Sequence, residues 1–179
     1  MNLKSGYPFW SIRNGLMRPY PCLEQDTQCE VAIIGGGVTA ALIAHELLRH
    51  GHEVVVIEQR EIGWGSTSAS TALLQYEIDT PMVDLAAQYG MPAAALAYGA
   101  CAKAILDLQS FAWGGTFAET ADGLPFFGTH PEHGPRVAFA MAYGGNGITY
   151  SAIGAGLLRA QLEGRAHPLS DLFGFSRLG

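Results

Sequence analysis

Apolar and polar positions along the chain follow two periods, and the change from one to the other marks out the first elements. Glu30-Val31-Ala32-Ile33-Ile34 is a short apolar run ending in glycine, which predicts a strand buried on both faces of a parallel sheet. From Val38 to His50 the apolar residues Val38, Ala41, Leu42 and Leu48 recur at helical spacing. Arg49 and His50 suit the negative end of that helix, and Gly51 can take a left-handed cap. The β-branched run Val54 to Ile57, inside Glu53–Glu58, predicts a second strand. Strand, helix and strand in about thirty residues make a βαβ unit with a right-handed crossover.

Ahead of this unit, Pro8, Pro19 and Pro21 predict an extended leader. Behind it, Gly63 to Ala72 is a stretch of small residues able to bring backbone and hydroxyls close to a ligand. Thr80-Pro81 opens a helix in cap-then-proline order that closes near Gly90. Pro92 opens another, with Leu96, Ala100, Ala104, Leu108 and Phe111 on one face. Thr116 to Thr120 reads as a strand, Ala121 to Pro125 as a turn, and Phe126-Phe127 as the start of a return. From Arg136 to Tyr143, Val137, Phe139, Met141 and Tyr143 alternate with alanines, which predicts a strand. Gly144-Gly145-Asn146-Gly147 breaks it, and Ile148 to Glu163 reads as a terminal helix. The chain thus holds two strand-glycine-helix junctions and no internal repeat.

Composition narrows the function classes. Of 179 residues 49% are hydrophobic, 15% are charged and 23 are glycine, the make-up of a compact chain with many tight turns. A net charge of −6 supplies no basic footprint for nucleic acid. Cys22, Cys29 and Cys101 form no ligand or disulfide spacing, which suits free thiols in a reducing, cytoplasmic compartment. Met1 to Pro21 lacks a continuous apolar core of signal-peptide length. The uncharged run Val31 to Ala44 is shorter than the ~18 residues a membrane span needs, so no span is expected.

The first junction carries the most specific chemistry. Gly35-Gly36-Gly37-Val38-Thr39-Ala40 reads G-x-G-x-x-A, with Glu58 ending the second strand. That pattern places a tight turn, a close backbone approach to pyrophosphate, a small residue for helix packing and an acid for ribose hydroxyls. The helix N-terminus adds anion-binding amides. Glu58 argues against a 2′-phosphate, so NADP is disfavoured. Gly65-Ser66-Thr67, a second hydroxyl-rich loop, favours FAD over NAD, although alone it could be a linker. Gly144 to Ile148 could likewise be a simple turn, or could aim amides at a ligand above the sheet.

Other motifs read as scaffold. The glycine segments hold no Walker lysine, and no G-x-S-x-G elbow exists. Tyr98 and Lys103 are five apart, not four. His130 and His133 flank Pro131-Glu132 in a turn read as a solvated loop, and no metal site is assigned. Asp122 serves its turn, His45 is packed or on the surface, and Trp64 and Trp113 are core residues. No catalytic residue is assigned.

These residues resemble the FAD-dependent oxidoreductases related to D-amino-acid, glycine and sarcosine oxidases. Glu30 to Ala72 looks like that family's N-terminal cofactor motif. Phe117 to Phe173, with Asp122-Gly123-Leu124-Pro125, Tyr143 to Ile148 and Pro168 to Phe173, looks like its C-terminal end. The resemblance implies an α/β, Rossmann-like FAD/NAD(P)-binding domain with a partly parallel sheet, incomplete relative to the family. It divides the chain into a leader (1–29) and the N-terminal (30–111) and C-terminal (112–179) parts of an FAD-binding domain.

By the same resemblance, Gly35, Gly36, Gly37, Val38, Thr39 and Ala40 would face the pyrophosphate. Glu58 and Gln59 would lie at the adenosine ribose, and Gly65, Ser66 and Thr67 at the phosphates or flavin edge. Gly144, Gly145, Asn146, Gly147 and Ile148 would cover the flavin pyrimidine. The implied reaction is hydride transfer from a C–N bond of a small amine or amino acid to FAD. The family's substrate-handling middle is missing between Phe111 and Thr116, which leaves two classes open: an oxidoreductase of minimal form, or a non-catalytic FAD-binding module. Lost strands should leave sheet edges exposed and favour self-association.

Overall fold

The computed structural model describes residues 12, 20–71, 74–108, 120–141 and 144–178. Strands β1 (Val31–Ile34) and β2 (Val54–Ile57) pair in parallel, Val31 beside Val54 and Ile34 beside Ile57. Helix α1 (Val38–Arg49) crosses between them, and its Ile43 and Leu47 pack against Val31, Ile33 and Val54. The helix buries Ala40, Leu42, Ile43, Ala44 and Leu47, whereas Leu48 is 59% exposed and Ala41 also faces solvent. The buried stripe therefore runs 40, 43, 44, 47, turned from the face chosen from the sequence, because a chain of apolar and alanine positions fits more than one helical stripe.

Burial of β1 on both faces is not observed. Its side chains alternate, and Ile34 is 79% exposed. Two-sided burial needs a layer on each face, and among the described residues helix covers only one. Over the other face runs the segment from Leu23 to Cys29, leaving a cavity of about 330 Å³ against Ala32, Val55 and Ile57.

Helix α2 (Met82–Tyr89) and helix α3 (Met91–Leu108) pack on each other. Pro81, not Thr80, holds the cap position of α2, and no side chain caps it. Thr80 instead donates its hydroxyl to the carbonyl of Asp122, 2.8 Å away, satisfying a turn 42 residues further on. The buried face of α3 is Ala94, Ala97, Cys101, Ala104 and Leu108. Leu96 is 43% exposed, contrary to expectation, because close helix–helix contact selects the alanine stripe. Phe111 and the expected strand from Thr116 lie outside the described residues, Thr120 excepted. By length and composition α3 could cross a membrane; here its alanine stripe is core, and burial pushes the Cys101 thiol up to about 12.

Strands β3 (Phe126–Thr129) and β4 (Ala138–Met141) form an antiparallel hairpin, Phe126 beside Met141 and Thr129 beside Ala138. It stands apart from the β1–β2 sheet. The alternation seen in the sequence is present but its bulky side is not the inner one. Val137 and Met141 are 46% and 45% exposed, while Ala140 faces the core, where a closely packed helix admits only a small side chain. That helix is α4 (Gly147–Leu162), buried nearly all round. Its Tyr150, Ile153 and Leu157 meet Leu85, Phe127 and Phe173 in the main core.

The tail closes over the hairpin through a short helix, α5 (Ser170–Phe173), and a 3-10 turn at Phe175–Leu178. Arg177, its side chain only 5% exposed, lies 2.8 Å from Asp122 Oδ2. It also donates to the carbonyls of Leu124, Pro125 and Leu172, and its guanidinium covers the Phe126 ring at 4.0 Å. Asp122 further accepts from Tyr89 Oη at 2.6 Å, Thr120 Oγ1 and the Leu124 amide, so it serves its turn as its sequence context implies.

Candidate cofactor site

The first glycine turn is held from three sides. Gly35 has φ +107°, which favours glycine, and its amide bonds the Ile57 carbonyl at 2.8 Å, tying the turn to the end of β2. The Gly36 amide donates to Glu58 Oε2 at 2.7 Å, and the Gly36 carbonyl accepts from the Gly63 amide at 2.7 Å. A side chain on Gly36 would meet Glu58 Cβ at 2.9 Å and Ile62 Cδ1 at 2.5 Å. Only glycine fits there.

Gly37 occupies the cap position of α1 with no side-chain cap of its own. Thr67, 29 residues beyond Val38, supplies one: its Oγ1 accepts from the Val38 amide at 3.0 Å. The amides of Gly37, Thr39 and Ala40 open the same helix, where no intrahelical carbonyl reaches them. Thr67 thus belongs to the glycine turn, on a 3-10 turn Thr67–Ala69 that Ser68 braces by donating to the Gly65 carbonyl at 2.9 Å. Gly65 has φ +76°. Ser66 and Gln59 are exposed.

Glu58 is engaged with its own backbone surroundings. Besides the Gly36 amide it accepts from the Arg60 amide at 2.9 Å. The Gly36 bond first, with Arg60 behind it, holds the carboxyl below its ordinary range against a smaller opposing effect of burial. Glu58 is therefore an ionised acid at the end of β2 whose oxygens keep lone pairs for a further donor.

At the second junction, Gly144 (φ +59°) enters a 3-10 turn Gly144–Asn146 that runs into α4 at Gly147. Gly145 lies within that turn. Asn146 is 2% exposed. Its Nδ2 donates to the Glu77 carbonyl at 2.6 Å, and its Oδ1 has no partner among the described residues. A buried amide oxygen left so is costly unless a donor comes to it. Ile148 packs against Leu42 and Leu108, so its side chain is core and only its backbone belongs to the junction.

Helices α1 and α4 bring the two junctions together. Thr39 Oγ1 and Ser151 Oγ are 2.8 Å apart. Ser151 spends its proton on the Gly147 carbonyl at 2.6 Å, so Thr39 is the donor. Further along, Arg159 Nε lies 3.2 Å from Glu46 Oε1, an ion pair without an aligned hydrogen bond. Beyond the helix ends, His52 lies between Glu30 and Glu163. The contacts at 39/151, 46/159 and 52/163 run in the same order, so the helices are parallel and their N-termini share one end.

Those residues fit FAD. Free amides of α1 and the close backbone of Gly36 and Gly37 suit a pyrophosphate, ionised Glu58 suits ribose hydroxyls, and Asn146 Oδ1 lacks the donor a ligand would bring. The cross-chain cap by Thr67 and the burial of Asn146 could not be read from sequence. A usable signal for the first was the absence of any Ser, Thr, Asp or Asn at the α1 cap.

Comparison with known proteins agrees. Residues 30–101 match the family described as DAO, FAD dependent oxidoreductase. A putative Rieske 2Fe-2S iron-sulfur protein of Bacillus subtilis is 37% identical over 97 residues, 54% of this chain and 19% of that protein. Glycine oxidase of Geobacillus kaustophilus is 38% identical over 63 residues, 33% of this chain and 17% of the oxidase. Gamma-glutamylputrescine oxidoreductase of Escherichia coli is 32% identical over 78 residues, 42% of this chain and 18% of that enzyme. No solved structure matches. The chain spans less than a fifth of each of these relatives, and its likeness to the DAO family of FAD-dependent oxidoreductases lies in residues 30–101.

Proposed function

We propose that the chain binds FAD across its two glycine junctions and is the cofactor-holding part of an oxidoreductase acting on a C–N bond of a small amine or amino acid. The observation that carries this reading is the parallel packing of α1 and α4, which sets both helix N-termini at one end. Relatives named glycine oxidase and gamma-glutamylputrescine oxidoreductase support the substrate class. In such an enzyme FAD supplies the hydride acceptor. The protein's own share is binding and orientation: α1 amides and the Gly36–Gly37 backbone at the pyrophosphate, Glu58 at the ribose, and the Gly144 to Ile148 backbone at the flavin. Amides aimed at the pyrimidine end would stabilise charge developing there.

A second reading is an FAD-binding module that does not turn over by itself. Coverage of less than a fifth of each relative and the lack of a helix on the second face of β1 among the described residues favour it. Substrate must be held against the flavin in near-attack geometry, which is worth about 7–11 kcal/mol, and no described residue is assigned to that task. We further propose a reducing, cytoplasmic setting, which the free thiols support, and self-association, which the open sheet edges support.

One preparation tests both readings. Denaturing the purified protein should release FAD, and the intact protein's flavin should not be bleached at family-like rates by simple amino acids or amines. Release of a nicotinamide cofactor without flavin refutes the FAD reading; rapid turnover refutes the module. Gly37→Val should weaken FAD binding at least about tenfold, or ~1.4 kcal/mol. A Cβ there already meets Thr67 Oγ1 at 3.0 Å, and the branch fills the space for phosphate. Unchanged flavin titration in the folded variant would place the phosphates elsewhere.

A further inference from the structure

The β3–β4 connection, which the sequence presents as a solvated loop, brings together three side chains of ligand type. His130, Glu132 and His133 each offer one donor atom, and the three atoms lie within 4.8 Å of one another. Two imidazoles and a carboxylate are a common set for zinc-class divalent cations, whose tetrahedral ligands sit ~3.3 Å apart at metal–ligand distances near 2.0–2.2 Å. Closing from the observed spacing takes only rotamer adjustment, since Glu132 and His133 are exposed.

The two rings stand on an aromatic floor. His130 meets Phe175 edge-on at 5.1 Å, and His133 lies 5.1 Å from Phe139. Phe139 and Phe175 contact each other at 5.8 Å, and Phe126 stacks on Phe175 at 5.0 Å. The imidazole centroids are 5.7 Å apart. The backbone adds its own constraint: Pro131 opens the 3-10 turn, and the Glu132 amide donates to His130 Nδ1 at 3.3 Å. That bond occupies the Nδ1 lone pair and leaves the ring proton on Nε2, so a cation at Nδ1 would take the lone pair over from the Glu132 amide. The Glu132 carboxylate makes no ion pair with another described residue, so its charge is available.

We propose that this loop binds one zinc-class divalent cation through His130, Glu132 and His133, with water completing the coordination. Its place in the fold sets it apart from the cofactor site. The loop follows the Thr129–Ala138 end of the hairpin, whereas the Gly144 junction follows the Phe126–Met141 end, ~10 Å away along the strands. A cation here would stiffen the turn whose His130 ring packs on the tail at Phe175 and whose His133 ring packs on Phe139, independently of any cofactor.

Full-length protein stripped of metal by a chelator would be titrated with Zn²⁺ alone by calorimetry, and with Co²⁺ by visible absorption. One saturable site per chain is expected. His130→Ala and His133→Ala should each weaken it more than about tenfold, since even an outer partner of a metal ligand is worth 10–100-fold. His52→Ala, which dismantles the distant histidine–carboxylate cluster of Glu30, His52 and Glu163, should leave it unchanged. Far-UV circular dichroism of His133→Ala, an exposed position, checks that the fold persists. Absence of saturable binding, or binding that survives the His130→Ala/His133→Ala double variant or is lost with His52, overturns the proposal.

Discussion

The interior of helix α4 carries two glycines, Gly154 and Gly156, at which alanine should have opposite effects. A Cβ on Gly154 would fall on the Phe127 ring, reaching Cε1 and Cζ and lying 2.5 Å from Cδ1. That ring cannot swing into solvent: Phe127 is 1% exposed and meets Phe173 edge-on at 6.2 Å. At Gly156 a Cβ meets nothing within 4 Å. Alanine in place of glycine inside a helix gains about 0.8–1 kcal/mol at either position, partly by restricting the unfolded chain. Overpacking at Gly154 costs about 1–3 kcal/mol. Subtracting one variant from the other cancels the propensity gain, so Gly154→Ala should be about 1–3 kcal/mol less stable than Gly156→Ala, with Gly156→Ala at or above wild type. Urea unfolding followed by far-UV circular dichroism measures the difference. Equal stabilisation by both would refute the seating of α4 on β3, and with it the position of the Gly144 junction.

Two further outcomes follow from the ion pairs. Glu30 and Glu163 raise the pKa of His52, so the folded protein holds a proton there that the unfolded chain has released. This stabilisation is full below the ordinary histidine pKa near 6.5 and fades as pH rises through the raised value. Burial, with Arg159 and Arg165, lowers the pKa of His167, which acts oppositely, so the comparison is wild type against His52→Asn: the gap in urea midpoint should shrink from pH 6 towards pH 9, and a constant gap would contradict the linkage. Arg177→Met should cost about 3 kcal/mol, because it leaves the mostly buried Asp122 carboxylate without its cation; a thermal-melt change near zero would show that the tail does not depend on this pair.

The βαβ unit was legible because each of its parts is local. A β-branched run, a helix-period run and a glycine turn between them each act within ten residues. The stripes of α1 and α3 were less so, since Ala41, Ala97 and Ala100 differ little in apolar pattern and the choice among them is made by what packs opposite. The hairpin was seen as strands, but the inward side of β4 was set by α4, eight or more residues further on. At the cofactor site the residue types were legible and their partners were not. Thr67 capping α1, Glu58 bonding the Gly36 amide and Asn146 reaching the Glu77 carbonyl join positions 29, 22 and 69 apart, and such pairings exist only once the chain has folded.

The pairing of α1 with α4 also says something about charge. Parallel neighbouring helices put like dipole ends side by side, which is unfavourable unless each end meets opposite charge. At the C-terminal ends that charge is present: Arg49 lies in the last turn of α1 and Arg159 in that of α4, with His52 held between two carboxylates beyond them. Neither helix has an acidic residue in its first turn. There the described residues offer hydroxyls, Thr67 on the Val38 amide and Thr39 on Ser151, and the Glu58 carboxylate is bonded to the Gly36 and Arg60 amides. Among the described residues, then, neither positive end is offset by an acid in its helix's first turn. The proposed pyrophosphate at the α1 end and flavin pyrimidine at the α4 end would each bring negative charge to one of these helix ends, which is the physical reason to expect FAD binding to tighten the α1–α4 contact.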